Sequence, residues 1–326
     1  MRVFVTGATG FIGSAVVEEL IGAGHSVTAL ARSEATGKKL SAKGVQPHPG
    51  NLDDMDSLRS AAAAADGAIH LAYMHGLSQI PFAQRLRIIL GGLPTSIVSR
   101  FLKVSAEADR RAIDTIGAAF KGSGRPLVTT FGTLGLSHEG FRAAKPATEE
   151  DEPDPLSPGF DRAKTEETVE ALASLGVRAT MVRLAPSVHG EGDTGLVPQL
   201  IGIARKRGHS GYIGEGQNRW PAVHRRDAAR LFRLALEKGV AGARYHGVGE
   251  EGIPFRSIAE VIGRNLNVPV GSISSKEAKK QFSYFGGFAA TDNPTSSART
   301  RDQLGWEPTG PRLLVDLDGP EYFATK

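Results

Sequence analysis

Between Val3 and Arg32 the chain reads VFVTGATGFIGSAVVEELIGAGHSVTALAR, a strand, a glycine turn, an amphipathic helix and a second strand in immediate succession. Few architectures accept that order. Val3, Phe4 and Val5 form a short apolar run suited to a strand buried on both faces, and Thr6-Gly7 breaks it abruptly. Gly7 permits the tight turn, Gly10 keeps a side chain away from a closely approaching ligand, and Gly13 lets the new helix pack against the strand. Ile12, Val16 and Leu20 give the helix one buried stripe, and Gly22 and Gly24 end it. Its first N–H groups have no partner within the helix, so they favour an anion over the turn, and the pyrophosphate of a dinucleotide fits. Spaced glycines alone are a weak pattern; here they open a helix inside a unit of about 30 residues, which is specific. The residues expected to hold the pyrophosphate are Gly7, Thr9, Gly10, Phe11, Ile12 and Gly13.

The second strand, Val27–Leu30, distinguishes between dinucleotides. A carboxylate near its end would hydrogen-bond the ribose 2′-hydroxyl of NAD. This chain has Ala31-Arg32-Ser33 there. A guanidinium binds a 2′-phosphate through two charge-assisted hydrogen bonds, and Ser33 adds a third contact, so the expected cofactor is NADP(H). Lys38 and Lys39 either reinforce that field or are solvated surface.

The form Thr6-Gly7-Ala8-Thr9-Gly10-Phe11-Ile12-Gly13 resembles the TGxxGxxG loop of the extended and atypical short-chain dehydrogenase/reductases. Later landmarks extend the resemblance over nearly the whole chain. Gly50-Asn51-Leu52-Asp53 resembles the family's third-strand exit, which implies Asn51 or Leu52 near the adenine. Ala68-Ile69-His70-Leu71-Ala72 resembles the fourth strand, whose end, at Leu71 and Ala72, passes the cofactor riboses. His70 itself reads as a packed strand residue. Ala185-Pro186-Ser187-Val188-His189-Gly190 resembles the stretch whose backbone contacts the nicotinamide carboxamide, which brings in Ala185 and Val188. Leu304-Gly305-Trp306-Glu307-Pro308 resembles a C-terminal landmark of extended members, with Trp306 a core anchor.

Two segments resemble the catalytic ones. Val128 to Gly135 looks like the segment that carries the catalytic Ser/Thr, and counting back from Gly135 places that hydroxyl at Thr130. In Gly159-Phe160-Asp161-Arg162-Ala163-Lys164, the start of a helix through Leu175, the family has YxxxK; here the tyrosine position is Phe160. The family's phenol protonates the substrate oxygen while nicotinamide C4 supplies hydride, and Phe160 has no proton to give. Lys164 is still expected to bind the nicotinamide ribose. Three accounts of the missing acid are open: Lys164 with Thr130 orienting the oxygen, a substitute among Tyr73, His75 and His189 with Tyr73 favoured, or a protein that binds NADPH without catalysis.

Strands and helices alternate beyond the first unit, which predicts an α/β fold, a Rossmann-type doubly wound parallel sheet with a smaller mixed α/β C-terminal substrate region. Residues 1–184 and 217–248 are expected to form the NADP-binding domain, and 185–216 with 249–326 the substrate-binding region. Met74 to Val104 is irregular, with helical pattern returning at Ser105 to Phe120; so long an interruption is usually functional or interfacial.

Composition excludes several classes. The 326 residues carry 39 Lys and Arg against 35 Asp and Glu, a small dispersed excess that does not read as a nucleic-acid surface. Zero cysteines remove disulfides, thiolate catalysis and zinc–thiolate sites. No HExxH or other metal-ligand spacing is present, so no catalytic metal is expected. The strand begins too early for a signal segment and no apolar stretch reaches membrane-spanning length, so a cytoplasmic protein without a membrane partner is expected. The function expected is NADPH-dependent reduction of a carbonyl, an aldehyde or small ketone. The alternatives are a non-catalytic NADPH-sensing regulator and, disfavoured by Arg32 and Phe160, a sugar-nucleotide epimerase or dehydratase. The resemblance implies a homodimer joined through a helix bundle.

Overall fold

The opening apolar run becomes β1 (Arg2–Thr6), with Val3, Phe4 and Val5 fully buried. The chain continues as α1 (Phe11–Gly22), β2 (Ser26–Ala31), α2 (Glu34–Ser41), β3 (Gln46–Pro49), α3 (Met55–Ala63), β4 (Gly67–His70), α4 (Phe82–Leu90), α5 (Ile97–Ala118), β5 (Pro126–Gly132), α6 (Phe160–Ala163), α7 (Thr165–Ser174) and β6 (Arg178–Leu184). It then forms β7 (Ser187–His189), α8 (Leu196–Arg207), β8 (Ser210–Ile213), β9 (Arg219–His224), α9 (Arg225–Lys238), β10 (Arg244–Gly247), β11 (Glu250–Pro254), α10 (Phe255–Leu266), β12 (Val270–Ile273), α11 (Ser275–Phe282), α12 (Gly286–Ala290), α13 (Ala298–Leu304) and α14 (Leu313–Leu317). This computed structural model describes residues 1–74, 76, 77, 80–93, 96–138, 144–157, 159–282 and 286–324.

A seven-stranded sheet has the order β10-β6-β5-β4-β1-β2-β3. β1 pairs in parallel with β2, Val3 beside Val27, and with β4, Val5 beside Ile69. β2 pairs likewise with β3, and β4 with β5. This is the doubly wound Rossmann-type fold predicted from the sequence. The strand order reverses between β1 and β4, which opens a crevice at their carboxyl ends.

Two boundaries differ from the sequence expectation. The stretch read as irregular holds α4, and α5 starts at Ile97 rather than Ser105. The buried positions of α5 begin only at Ser105, so its first two turns carry no strong core periodicity. The helix expected through Leu175 is divided at Lys164 into α6 and α7.

The chain divides into two units. The first comprises Met1–Phe131, Asp161–Met181 and Phe232–Ala243, and the second Gly132–Phe160, Val182–Leu231 and Arg244–Lys326. In the second, β11-β9-β7 and β12-β8 form two small sheets. Its core is built on Trp220, Phe255 and Phe282, whose rings meet edge to face at 5.1 Å and 6.2 Å. Trp306 is fully buried and its indole N–H donates to the Asp227 carbonyl at 2.9 Å, the anchor expected of it. Arg183 is buried too; it donates to the Asp151 carbonyl at 2.9 Å and lies 3.3 Å from His246 Nε2. Burial, then the Arg183 charge, pushes the His246 imidazole down to about 3. The ring is neutral, donating from Nδ1 to the Ser296 carbonyl at 2.7 Å.

Asp193 follows β7. Its Oδ1 accepts the Gly195 N–H at 2.6 Å and its Oδ2 the Tyr322 hydroxyl at 3.1 Å. Burial outweighs these donors and pushes the carboxyl up to about 6. A native pKa above the unfolded value means that the folded state binds the extra proton, and the associated stability is lost as pH rises through the folded value. Asp193→Asn is therefore expected to gain on the order of 2 kcal/mol relative to the parent between about pH 4.5 and about pH 7.5. Urea unfolding of both proteins at the two pH values measures this; parallel pH dependences would refute it.

Candidate active site

The glycine loop is closed to side chains at two of its three glycines. Gly7 has φ +75°, and a Cβ there would lie 2.8 Å from the Ala72 backbone nitrogen and 2.9 Å from the Leu71 carbonyl carbon. A Cβ on Gly13 would lie 2.0 Å from the Gly7 oxygen. β1, the end of β4 and the start of α1 meet at backbone contact here. Gly10 stands at the N-cap of α1 with no side-chain cap, and the first turn holds no acidic residue. That leaves the helix end open to an anion. Thr9 and Gly10 are exposed and Phe11 and Ile12 half-buried around it.

At the end of β2, Arg32 is exposed and lines a cavity of about 660 Å³ together with Ser33, Gly37, Lys38, Pro47 and Gly50. Lys38 pairs with Glu34, also on that wall, at 2.7 Å. Lys39 does not line the cavity. The Ser33 hydroxyl caps α2, accepting the Thr36 N–H at 3.2 Å, and lies 3.0 Å from the Thr36 hydroxyl. Asn51 accepts the Asp53 N–H through Oδ1 at 2.8 Å, which leaves its amide N–H₂ for a ligand, and Leu52 is buried.

Below the crevice runs a buried polar chain that sequence reasoning missed. Thr6 Oγ1 accepts the backbone N–H of both Leu71 and Ala72 at 3.2 Å, so its hydrogen goes to His70 Nδ1, 2.9 Å away. The imidazole proton then sits on Nε2 and is donated to Asp109 Oδ1 at 3.2 Å. Asp109 Oδ2 accepts the Thr165 hydroxyl at 3.3 Å and lies 4.0 Å from Arg162 Nε. Thr6, His70, Asp109 and Thr165 are all buried. His70 is thus packed in its strand, as expected, while its ring joins β1 and β4 to α5 and α7.

Arg162 brings two of the expected site residues together. Its guanidinium lies over the Tyr73 ring, 3.9 Å from the centroid, and donates to the Thr130 carbonyl at 3.2 Å. Burial raises the Tyr73 phenol above its ordinary value, with Arg162 acting in the opposite direction. Lys164 is half-exposed, its Nζ 3.9 Å from Asp161 Oδ1. The signal for Arg162 was its place between Phe160 and Lys164, but a stack on a residue so distant in sequence has no sequence signature. His75 lies outside the described residues.

In the second unit Ala185 is buried with its N–H on the Gly247 carbonyl at 3.1 Å, and Val188 is half-buried on β7. His189 Nδ1 is 2.7 Å from Asp316 Oδ2, and its ring meets His224 edge to face. Burial, and then His189, lowers the His224 imidazole. Among the described residues no group of three or more His, Cys, Asp or Glu side chains is placed to hold a metal ion.

A family model described as the NAD dependent epimerase/dehydratase family matches residues 3–86. An uncharacterized protein of Schizosaccharomyces pombe is 46% identical over 324 residues, 99% of this chain and 100% of that protein. A 4-hydroxy-2-methyl-3-oxo-4-farnesyl-3,4-dihydroquinoline-1-oxide ketoreductase of Stigmatella aurantiaca is 26% identical over 282 residues, 86% of this chain and 78% of that one. A solved dTDP-glucose 4,6-dehydratase of Streptomyces venezuelae with NAD bound has a TM-score of 0.73 at 20% identity, covering 98% of this chain and 95% of that chain. This last likeness is one of fold.

Removing the carboxylate that closes the buried chain leaves the His70 Nε2–H and the Thr165 hydroxyl without their acceptor. Asp109→Ala is expected to lower unfolding free energy by about 2–4 kcal/mol, and Thr165→Val by less. Denaturant titration compares them; a loss under about 0.5 kcal/mol for Asp109→Ala would show that the chain carries no stability.

Proposed function

Since the chain belongs to the NAD dependent epimerase/dehydratase family, a group of extended short-chain dehydrogenase/reductases that use nicotinamide cofactors, we propose that it is an NADPH-dependent reductase of an aldehyde or small ketone. The observation that carries the cofactor half is the exposed Arg32 on the wall of the cavity at the end of β2, where an NAD enzyme would place a carboxylate. Arg32 binds the 2′-phosphate by charge-assisted hydrogen bonds, with Ser33 and Lys38 alongside. The glycine loop and the uncapped start of α1 receive the pyrophosphate. Asn51 and Leu52 flank the adenine, and Leu71 and Ala72 the riboses. Lys164 holds the nicotinamide ribose.

Held by these residues, the reduced cofactor would supply a hydride to the carbonyl carbon. Thr130 orients the carbonyl oxygen. Tyr73 then takes the part that Phe160 cannot: its O–H gives the proton to that oxygen, and C=O becomes CH–OH. The phenol is protonated at neutral pH in any case, burial raises it further, and the Arg162 guanidinium over the ring stabilises the phenolate left behind. The ketoreductase among the relatives, by its name, carries out this class of reaction. The sugar-nucleotide reading fits less well, because it relies on a phenol at the position of Phe160.

Oxidation of NADPH against a panel of aldehydes and small ketones tests the activity, and no turnover despite tight NADPH binding would refute it. Arg32→Ala is expected to raise KM for NADPH on the order of tenfold or more and leave NADH unaffected. Tighter binding of NADH than NADPH by the parent would overturn the cofactor assignment alone. Tyr73→Phe is expected to lower kcat by about 10²-fold with little change in NADPH affinity. Undiminished turnover would remove Tyr73 from the chemistry.

A further inference from the structure

α4 is amphipathic the wrong way round for a helix packed on a protein core. Ile88 is its one buried residue, whereas Phe82, Leu86, Ile89 and Leu90 face solvent, Phe82 with 70% and Leu90 with 74% of its surface exposed. Leu93, 74% exposed on the following turn, and Val98 on the first turn of α5 extend the apolar surface. Six of the large apolar side chains exposed in the described residues thus fall in one short segment. Contiguous apolar surface of this kind marks a site of interaction.

The surface is held in place. Arg100 from α5 donates to the Ile88 carbonyl at 2.8 Å, the Leu93 carbonyl at 3.3 Å and the Ser96 hydroxyl at 2.5 Å, so it satisfies the C-terminal end of α4 and fixes the turn. Arg85 donates to the Ile80 carbonyl at 3.1 Å near the helix start.

Charge selects the occupant. From Gly67 to Ala106 the chain has no Asp or Glu, while Arg85, Arg87, Arg100 and Lys103 are cationic, with Arg87 and Lys103 exposed. A two-fold axis through this segment would set these cations against their own images, with no carboxylate in the segment to pair them. A layer of anionic headgroups over hydrocarbon satisfies both requirements at once. We propose that the outer face of α4, with Leu93 and Val98 beside it, is a docking surface for an anionic lipid bilayer, with that face of α4 lying in the headgroup region. No described helix is long and apolar enough to cross a membrane, but an interfacial helix needs no such length. The expectation of no membrane partner did not weigh an interfacial helix.

Co-sedimentation of the full chain with vesicles of phosphatidylcholine and phosphatidylserine, beside vesicles of phosphatidylcholine alone, tests the surface. Binding is expected to the anionic vesicles, to weaken with salt, and to fall on the order of tenfold or more in Arg87→Glu/Lys103→Glu and in Leu90→Glu/Leu93→Glu. All four side chains are exposed, so unchanged circular dichroism will show that the variants remain folded. No sedimentation with anionic vesicles, or equal sedimentation of parent and variants, overturns the proposal. So does a dimer in analytical ultracentrifugation that Leu90→Glu/Leu93→Glu dissociates while vesicle binding is absent, which would assign the face to a second copy.

Discussion

The contact between the glycine loop and the exit of β4 sets everything else in the first unit. Gly7 faces the Leu71–Ala72 backbone at a distance that no Cβ tolerates, and Gly13 stands in the same relation to Gly7. With side chains excluded, backbone N–H groups and the start of α1 become the surface that a ligand meets. Thr6 reinforces the arrangement by accepting both N–H groups at the β4 exit. The turn after β1 and the floor beneath it are therefore one construction, held by Gly7, Gly13 and the Thr6 hydroxyl.

The polar chain from Thr6 through His70 and Asp109 to Thr165 explains how this construction is coupled to the helices. Each group has a role fixed by its neighbour: Thr6 must donate to His70, His70 must donate to Asp109, and Asp109 can only accept. Fully satisfied, such a network specifies a single packing; left half-made, it penalises the alternatives. Arg162 sits at its edge, 4.0 Å from Asp109 and stacked on Tyr73.

What could be read in advance divides along physical lines. The parallel sheet and the loop at Gly7–Gly13 were legible because they follow from local periodicity and from backbone positions that only glycine occupies. The place of Arg32 was legible because it follows directly from the end of a strand. α4 was not, because its apolar residues point outward and so break the inside-outside rule by which periodicity is interpreted, while Gly91-Gly92 and Pro81 gave it the look of a loop. The late start expected for α5 has the same origin. Arg162, and the polar tie from His70 to Asp109, depend on side chains far apart in sequence that meet only after folding.

Arg162 grips the main chain at Thr130 with one edge and lies over an aromatic ring with its face. A guanidinium tethered in this way converts strand geometry into proton affinity. Were the end of β5 to shift, the cation would leave the ring and the phenol would become a weaker acid. Acidity at this position therefore reports where the end of β5 stands.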